Sequence, residues 1–426
     1  MLTWPYIGLV CALLVVYAWS FYNLPILVAG VKSLRKSKQK PGRKPLEREA
    51  FPAFSIIVPV KNEEKVVGRL LNALSELSYP ADKKEIIIVE DGSTDRSLDV
   101  CEAFAREQRK LNIRIVQRRF SDGKPSALNS GITYAQGEIV GVFDADSVPA
   151  SDALLNVCRY FEDPQVAAVQ GRTLSINSEE NMLTRIISRE EDVWCEAYLR
   201  GKDALNLFVH LRGSCQFIRR DVLEQVKGFD KNALSEDMEL SAKTTEKGYK
   251  IKYAPDVRSW QESPCDLKQL FRQRVRWFRG TMEVALKYGR LMAKPSKKSF
   301  DAEVTFFGPF VLIASFLAYI ASSCMTFMPF PLDSIVHLIA QLTALLTTAT
   351  MLLCGIAVIY TSKPRKVSDL LWIPLIYAYW SVQAFIALYA ILLMILRRPR
   401  KWLKTDKKGT INHHFQPLVM KPARAN

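Results

Sequence analysis

Hydrophobic positions along this chain follow two different rules. Residues 5–28, 304–327, 335–360 and 370–396 contain no Asp, Glu, Lys or Arg. Each stretch can supply the roughly 20 apolar residues that a bilayer-crossing helix needs. The first is too long for a cleaved signal peptide and has no positive segment in front of it. Residues 51–300, by contrast, mix charged and apolar positions as a globular domain does. Short apolar runs at 54–60 (FSIIVPV), 86–89 (IIIV) and 139–143 (IVGVF) predict buried strands. Helical stretches separate them, one capped by Asn62 and running to about Leu77, another capped by Ser93 or Thr94 and running to about Arg109. Strands and helices alternating in units of roughly 30 residues predict an α/β domain on an open, mainly parallel sheet. The expected organisation is a transmembrane helix over 1–31, a basic linker over 32–50, an α/β domain over 51–265, an amphipathic helical region over 266–300, about three transmembrane helices over 301–398 and a basic tail over 399–426.

Charge then assigns surroundings to these parts. The 426 residues carry a formal net charge of +16, and much of the excess flanks the apolar stretches. Lys32, Arg35, Lys36, Lys38, Lys40, Arg43 and Lys44 follow the first; Arg397, Arg398, Arg400, Lys401 and Lys404 follow the last. Juxtamembrane placement points to anionic membrane lipid as the partner, with no nucleic acid, and to a cytoplasmic side for both flanks. Three complete spans after a cytoplasmic domain would carry the tail outside. A cytoplasmic tail therefore requires one segment to be re-entrant, with 370–396 and its Pro374 as the candidate. Such a tail would be free to fold Trp402 and His413 back over the domain. The eight cysteines are scattered, without the spacing of a disulfide framework or a zinc site, and four histidines are too few for a histidine cage.

Acidic residues fall at informative places. Glu90 and Asp91 directly follow one apolar strand, and Asp144 and Asp146 follow another. Ligands of open parallel sheets bind beyond the carboxyl ends of strands. Two carboxylates in Asp144-Ala145-Asp146 can reach one divalent ion that also holds phosphate oxygens, although the same pair also suits capping of the turn at 147–149. Asp91-Gly92-Ser93-Thr94-Asp95 reads equally as a tight turn with a helix cap, or as a carboxylate held to accept hydrogen bonds from a base or ribose. Lys124 is either a solvated loop lysine or a diphosphate contact. Glu236-Asp237 opens a helical stretch over 238–247, where favourable dipole charge is the plain reading. A carboxylate there can also take the proton of an attacking hydroxyl, and Asp237 is the candidate base. Residues 266–292 read as one amphipathic helix, with Leu267, Phe271, Val275, Phe278 and Met282 on an apolar stripe and Gln273, Arg276 and Trp277 on the other side. A basic amphipathic helix ordinarily lies on a membrane surface, but that leaves an indole on the polar face unexplained. Arginine clamps diphosphate, and tryptophan stacks on the apolar face of a sugar.

Taken in order, SIIVPVKNEE, EDGSTD, GKPSALNSG, DAD, SED and QRVRW resemble the membrane-bound glycosyltransferases of family 2, whose members include hyaluronan, chitin, cellulose and poly-N-acetylglucosamine synthases and ceramide glucosyltransferase. The resemblance covers about residues 54–280. It implies a GT-A fold, Rossmann-like and open-sheeted, a nucleotide-diphosphate sugar donor such as a UDP-sugar, Mg2+ or Mn2+, and inversion at the anomeric carbon. On this resemblance Asp91 contacts the uracil or ribose, with Glu90 standing where relatives often have a second aspartate. Asp144 meets the nucleotide and donor sugar, and Asp146, with Asp144, the metal. Lys124, Gln273 and Arg276 complete the nucleotide-sugar set, Asp237 is the catalytic base, and Trp277, Gly213, Ser214 and Glu236 lie towards the acceptor. The acceptor expected is a growing polysaccharide, the alternative a lipid. Four spans are few for a chain that secretes its polymer, which leaves room for an oligomer or an export partner. A nucleotide-sensing transporter component is the rival from another class, opposed by membrane segments without buried charges or broken helices.

Overall fold

The computed structural model describes residues 4–37, 51–289, 295–327, 334–361, 371–400 and 405–410. It divides into two units, each discontinuous in sequence. One comprises 1–38, 189–207 and 270–401, the other 39–188, 208–269 and 402–426.

The second unit is built on strands β1 (Phe54–Val60), β2 (Lys84–Glu90), β3 (Asn112–Gln117), β4 (Ile139–Val142), β5 (Val148–Pro149), β6 (Val166–Ser175), β7 (Gln216–Arg219) and β8 (Lys250–Gln261). Their order in the sheet is β3-β2-β1-β4-β7-β6-β8-β5. β1, β2, β3 and β4 run parallel, as the strand–helix alternation predicts. Beyond β4 the sheet becomes mixed: β7 is antiparallel to both β4 and β6, β5 is antiparallel to β8, and β6 and β8 are parallel. The mainly parallel sheet expected from the sequence is thus half the answer. β7 follows the loop that carries Gly213 and Ser214, after the helical residues 182–204, and lies antiparallel between β4 and β6.

β1, β2 and β4 are central, and their near-continuous apolar runs are buried on both faces; Ile56, Ile57, Ile86, Ile87 and Val140 are at most 1% exposed. Each such side chain contributes about 1.5–3 kcal/mol of apolar burial. From β1 the chain steps outward to β2 and β3, then returns across β1 to β4. The connection reverses between β1 and β4, and the carboxyl ends of those strands flank the crevice where an open α/β sheet binds ligands.

Two predicted caps are corrected. The first helix is Val67–Ser75 with Val66 at its start, and the second is Ser97–Glu107 with Arg96 at its start; neither has a side-chain cap. Asn62, at φ 53°, accepts from the Thr94 amide (2.7 Å), while its own amide donates to Ser93 Oγ (3.0 Å). Residues that favour caps also favour any turn with exposed amides, and here they staple two loops together.

The first unit contains the apolar helices. Leu13–Lys36 and Trp372–Ile395 are long and apolar enough to cross a membrane. Lys297–Phe306 and Gly308–Ala321 form a third candidate bent by 57°. A further helix spans Ser334–Thr361. The expectation of unbroken helices without buried charge therefore fails in one place. The break falls at Phe307, not near Pro374, and close to it Lys202 and Asp301, both fully buried, pair at 3.0 Å, with Thr305 Oγ1 on the lysine (2.6 Å) and Tyr22 Oη on the aspartate (2.8 Å).

Candidate active site

Lys124 opens the Lys124–Ile132 helix, just after Gly123 at φ 104°, and so sits at the mouth of the parallel half of the sheet. A lysine has three protons to donate, and this one uses all of them. Its Nζ lies 2.6 Å from Asp144 Oδ1 and 3.1 Å from Glu236 Oε1, and donates to the Gly213 carbonyl at 3.0 Å. Burial opposes its charge, yet Asp144 and Glu236 outweigh that and hold the ammonium above its ordinary range. One cation thus ties the end of β4, the start of the Glu236–Glu246 helix and the loop before β7 together.

Gly213 shows how tightly they meet. It sits at φ +81°, and a Cβ built on it would stand 3.2 Å from Lys124 Nζ and 3.3 Å from Asp237 Oδ2. Asp237 is half-buried, and its Oδ1 accepts from the next amide, Met238, at 2.8 Å. The loop itself is held from β6 and β7. Gln170 accepts from the Arg212 amide (2.7 Å) and donates to the Ser214 carbonyl (3.0 Å), while Gln216 accepts from the Gly213 amide (3.1 Å). Ser214 Oγ receives the Asp144 amide (3.1 Å) and lies 2.8 Å from Ser147 Oγ.

Glu90 ends β2 and Asp91 directly follows it. Asp91 is 3% exposed, accepts from Ser121 Oγ at 2.6 Å and pairs with Arg118. The loop that carries Ser121 leads directly into Lys124, so Asp91 and Asp144 are gripped by one short segment. Glu90 accepts from the Ser93 amide and so holds the Glu90–Asp95 turn from within.

Asp146 is 5% exposed. Its Oδ2 receives the Glu262 amide (3.1 Å) and the Lys407 ammonium (2.7 Å). Burial would raise this carboxyl, but the Lys407 charge prevails and holds it below the usual carboxylate range. No cluster of three or more His, Cys, Asp or Glu side chains suited to a metal exists among the described residues. A divalent ion on Asp144 and Asp146 would complete its shell with phosphate oxygens and water, as magnesium ordinarily does. Asp146 already holds a cation from the chain itself, and the carboxylate donor set fits a hard ion.

Nine of the residues singled out in the sequence, Glu90, Asp91, Lys124, Asp144, Asp146, Gly213, Ser214, Glu236 and Asp237, therefore belong to one unit, at the ends of β2 and β4 and on the loops and helices beside them. Gln273, Arg276 and Trp277 belong to the other unit, on the Leu267–Tyr288 helix. There the Arg274 guanidinium lies over the Trp277 ring at 4.2 Å and pairs with Glu190 at 3.3 Å. Of the apolar stripe, Met282 is fully buried, whereas Leu267 is 65% exposed. Sequence reasoning missed Arg69, Arg118, Glu262, Arg274 and Lys407. Only Glu262, directly after β8, carried a positional signal. Trp402 and His413 lie outside the described residues.

A mixed open sheet with carboxylates gathered at the ends of its parallel strands defines a GT-A-type transferase fold. A solved mannosyltransferase from Pyrobaculum calidifontis, PcManGT, described in complex with GDP-Man and Mn2+, superposes with a TM-score of 0.59 at 21% identity, over 91% of this chain and 100% of its own. That likeness is one of fold. The chain belongs to glycosyltransferase family 2: residues 52–280, more than half its length, match the model described as "Glycosyltransferase like family 2". It is 33% identical over 259 residues to the probable glycosyltransferase YdaM of Bacillus subtilis (60% of this chain, 62% of that protein). It is also 33% identical over 249 residues to the beta-monoglucosyldiacylglycerol synthase of a Nostoc species (58% and 52%). With the poly-beta-1,6-N-acetyl-D-glucosamine synthase of Staphylococcus epidermidis it shares 29% identity over 255 residues (59% and 60%). The matches span between half and two thirds of these relatives' lengths.

Proposed function

We propose that this protein transfers a sugar, with inversion, from a nucleotide-diphosphate sugar, a UDP-sugar in the first instance, to a growing polysaccharide at the membrane. The observation that carries this reading is the junction of Asp144, Glu236, Gly213 and Asp237 around Lys124. In a single displacement the acceptor hydroxyl attacks the anomeric carbon as Asp237 takes its proton, and the nucleoside diphosphate departs. Glu236, fixed by Lys124, and the Gly213–Ser214 loop orient the acceptor. Asp91 and Glu90 hold the nucleoside side of the donor. Asp144 and Asp146 are the residues to hold Mg2+ or Mn2+, whose charge when bound offsets that of the diphosphate. Gln273 and Arg276 are assigned to the diphosphate and Trp277 to the acceptor sugar.

A second reading, addition of a single sugar to a lipid, is favoured by the relative named as a beta-monoglucosyldiacylglycerol synthase, which is slightly more similar than the polymer synthase. The catalytic unit is placed on the cytoplasmic side, where nucleotide sugars are made, with the chain crossing the membrane more than once. The deciding experiment offers labelled UDP- and GDP-sugars to membranes containing the protein and sizes the product on a gel. A ladder or smear of long product supports the first reading and one lipid-soluble band the second. No product from any donor overturns both.

A further inference from the structure

Residues 405–410 are docked on the catalytic unit by a built set of contacts. Lys407 Nζ donates to the Glu262 carbonyl at 2.7 Å in addition to its pairing with Asp146 Oδ2 at the same distance. The Lys408 and Gly409 amides donate to the two Glu262 carboxylate oxygens at 2.8 and 3.2 Å, and the Thr410 hydroxyl donates to Glu180 at 3.2 Å. Arg69 reaches across the seat to the Asp146 carbonyl (3.1 Å), the Glu262 carboxylate (3.3 Å) and the Thr410 carbonyl (3.4 Å). Gly409 has φ +77°, and a Cβ on it would stand 2.9 Å from the Lys65 carbonyl oxygen, so the strap passes where only glycine fits.

An ammonium and a divalent ion held at contact distance on Asp146 would repel each other strongly in so poorly hydrated a place. We propose that Lys407 is a cation built into the chain as a placeholder on Asp146: it fills the divalent-ion position while the site is unloaded, and loading lifts the 405–410 strap from its seat on Glu262. This rests on the reading of Asp146 as a metal ligand. The placeholder keeps a buried carboxylate paired, which an empty site would otherwise leave as an uncompensated charge. It also makes metal affinity depend on residues more than 250 positions away in the sequence.

The test titrates Mn2+ into the full chain in detergent, without donor, and follows free Mn2+ by its paramagnetic resonance signal. Lys407→Gln should bind Mn2+ about tenfold more tightly than the wild type. Gly409→Val, which undocks the strap while leaving the lysine charge in place, should do the same. Amide exchange over 405–410 should accelerate when Mn2+ is added to the wild type and stay unchanged by Mn2+ in Asp146→Asn. Equal Mn2+ affinity in wild type, Lys407→Gln and Gly409→Val would overturn the placeholder while leaving Asp146 a ligand, provided Asp146→Asn weakens binding. Undiminished Mn2+ binding in Asp146→Asn would overturn the underlying assignment as well.

Discussion

Single residues carry the sharpest tests of the site. Gly213 combines a left-handed backbone with tight contacts, so that a methyl group would press on the Lys124 ammonium and the Asp237 carboxylate and force both to shift by a few tenths of an ångström. Gly213→Ala should therefore cost about 1–3 kcal/mol of stability and lower sugar transfer by roughly tenfold, the equivalent of about 1.4 kcal/mol in the barrier; a thermal melt and a nucleoside diphosphate release assay read the two. Cys101 and Cys158 mark the protected interior of the same unit: burial pushes their thiols up to about 12 and about 11. Thiolate is the reactive form, so neither should react with a thiol reagent between pH 7 and pH 9 in the folded protein, and both should react on denaturation, as peptide mapping would show. Position drew attention to Asp91, Asp144 and Asp146, which follow apolar strands, and to Asp237, which opens a helix. Their partners were not legible, because pairings such as Lys407 with Asp146 span 261 positions and no local pattern encodes them.

At the scale of elements, apolar runs located β1, β2 and β4, since a strand buried on both faces leaves an unbroken apolar signature. β7 and β8 gave no such signal. Gln216 within β7 spends its side chain on the Gly213 loop, and β8 intersperses buried and half-exposed positions. Helix starts were misplaced for a related reason: Asn62 and Ser93 satisfy each other's loops, and that pairing needs both loops in view. The Lys202–Asp301 pair joins the short helix Arg200–Ala204 to Lys297–Phe306 with no solvent contact. Removing one partner leaves a bare charge in a dry interior and should cost about 3–5 kcal/mol. Lys202→Met should accordingly melt well below the wild type in detergent, and Lys202→Met combined with Asp301→Leu should recover much of the loss. Equal melting temperatures for the single and double variants would exclude a coupled pair.

For the whole molecule, the docked strap bears on topology. On the proposed membrane-spanning reading, a segment seated on the catalytic unit lies on that unit's side of the membrane, and an even number of crossings between residues 289 and 405 follows. That agrees with the basic character of 397–404. A cysteine replacing Lys408 should then be labelled by an impermeant reagent only from the face that exposes the catalytic unit, and labelling from the opposite face would require an odd number of crossings. The central claim is that carboxylates gathered around Lys124 perform sugar transfer beside the bilayer, with Asp237 as the base. Its most direct test compares wild type and Asp237→Asn in the same membranes, measuring retained sugar label and labelled-donor binding together. The account predicts donor binding within about twofold of wild type and transfer reduced by a hundredfold or more; transfer by Asp237→Asn at the wild-type rate would contradict it.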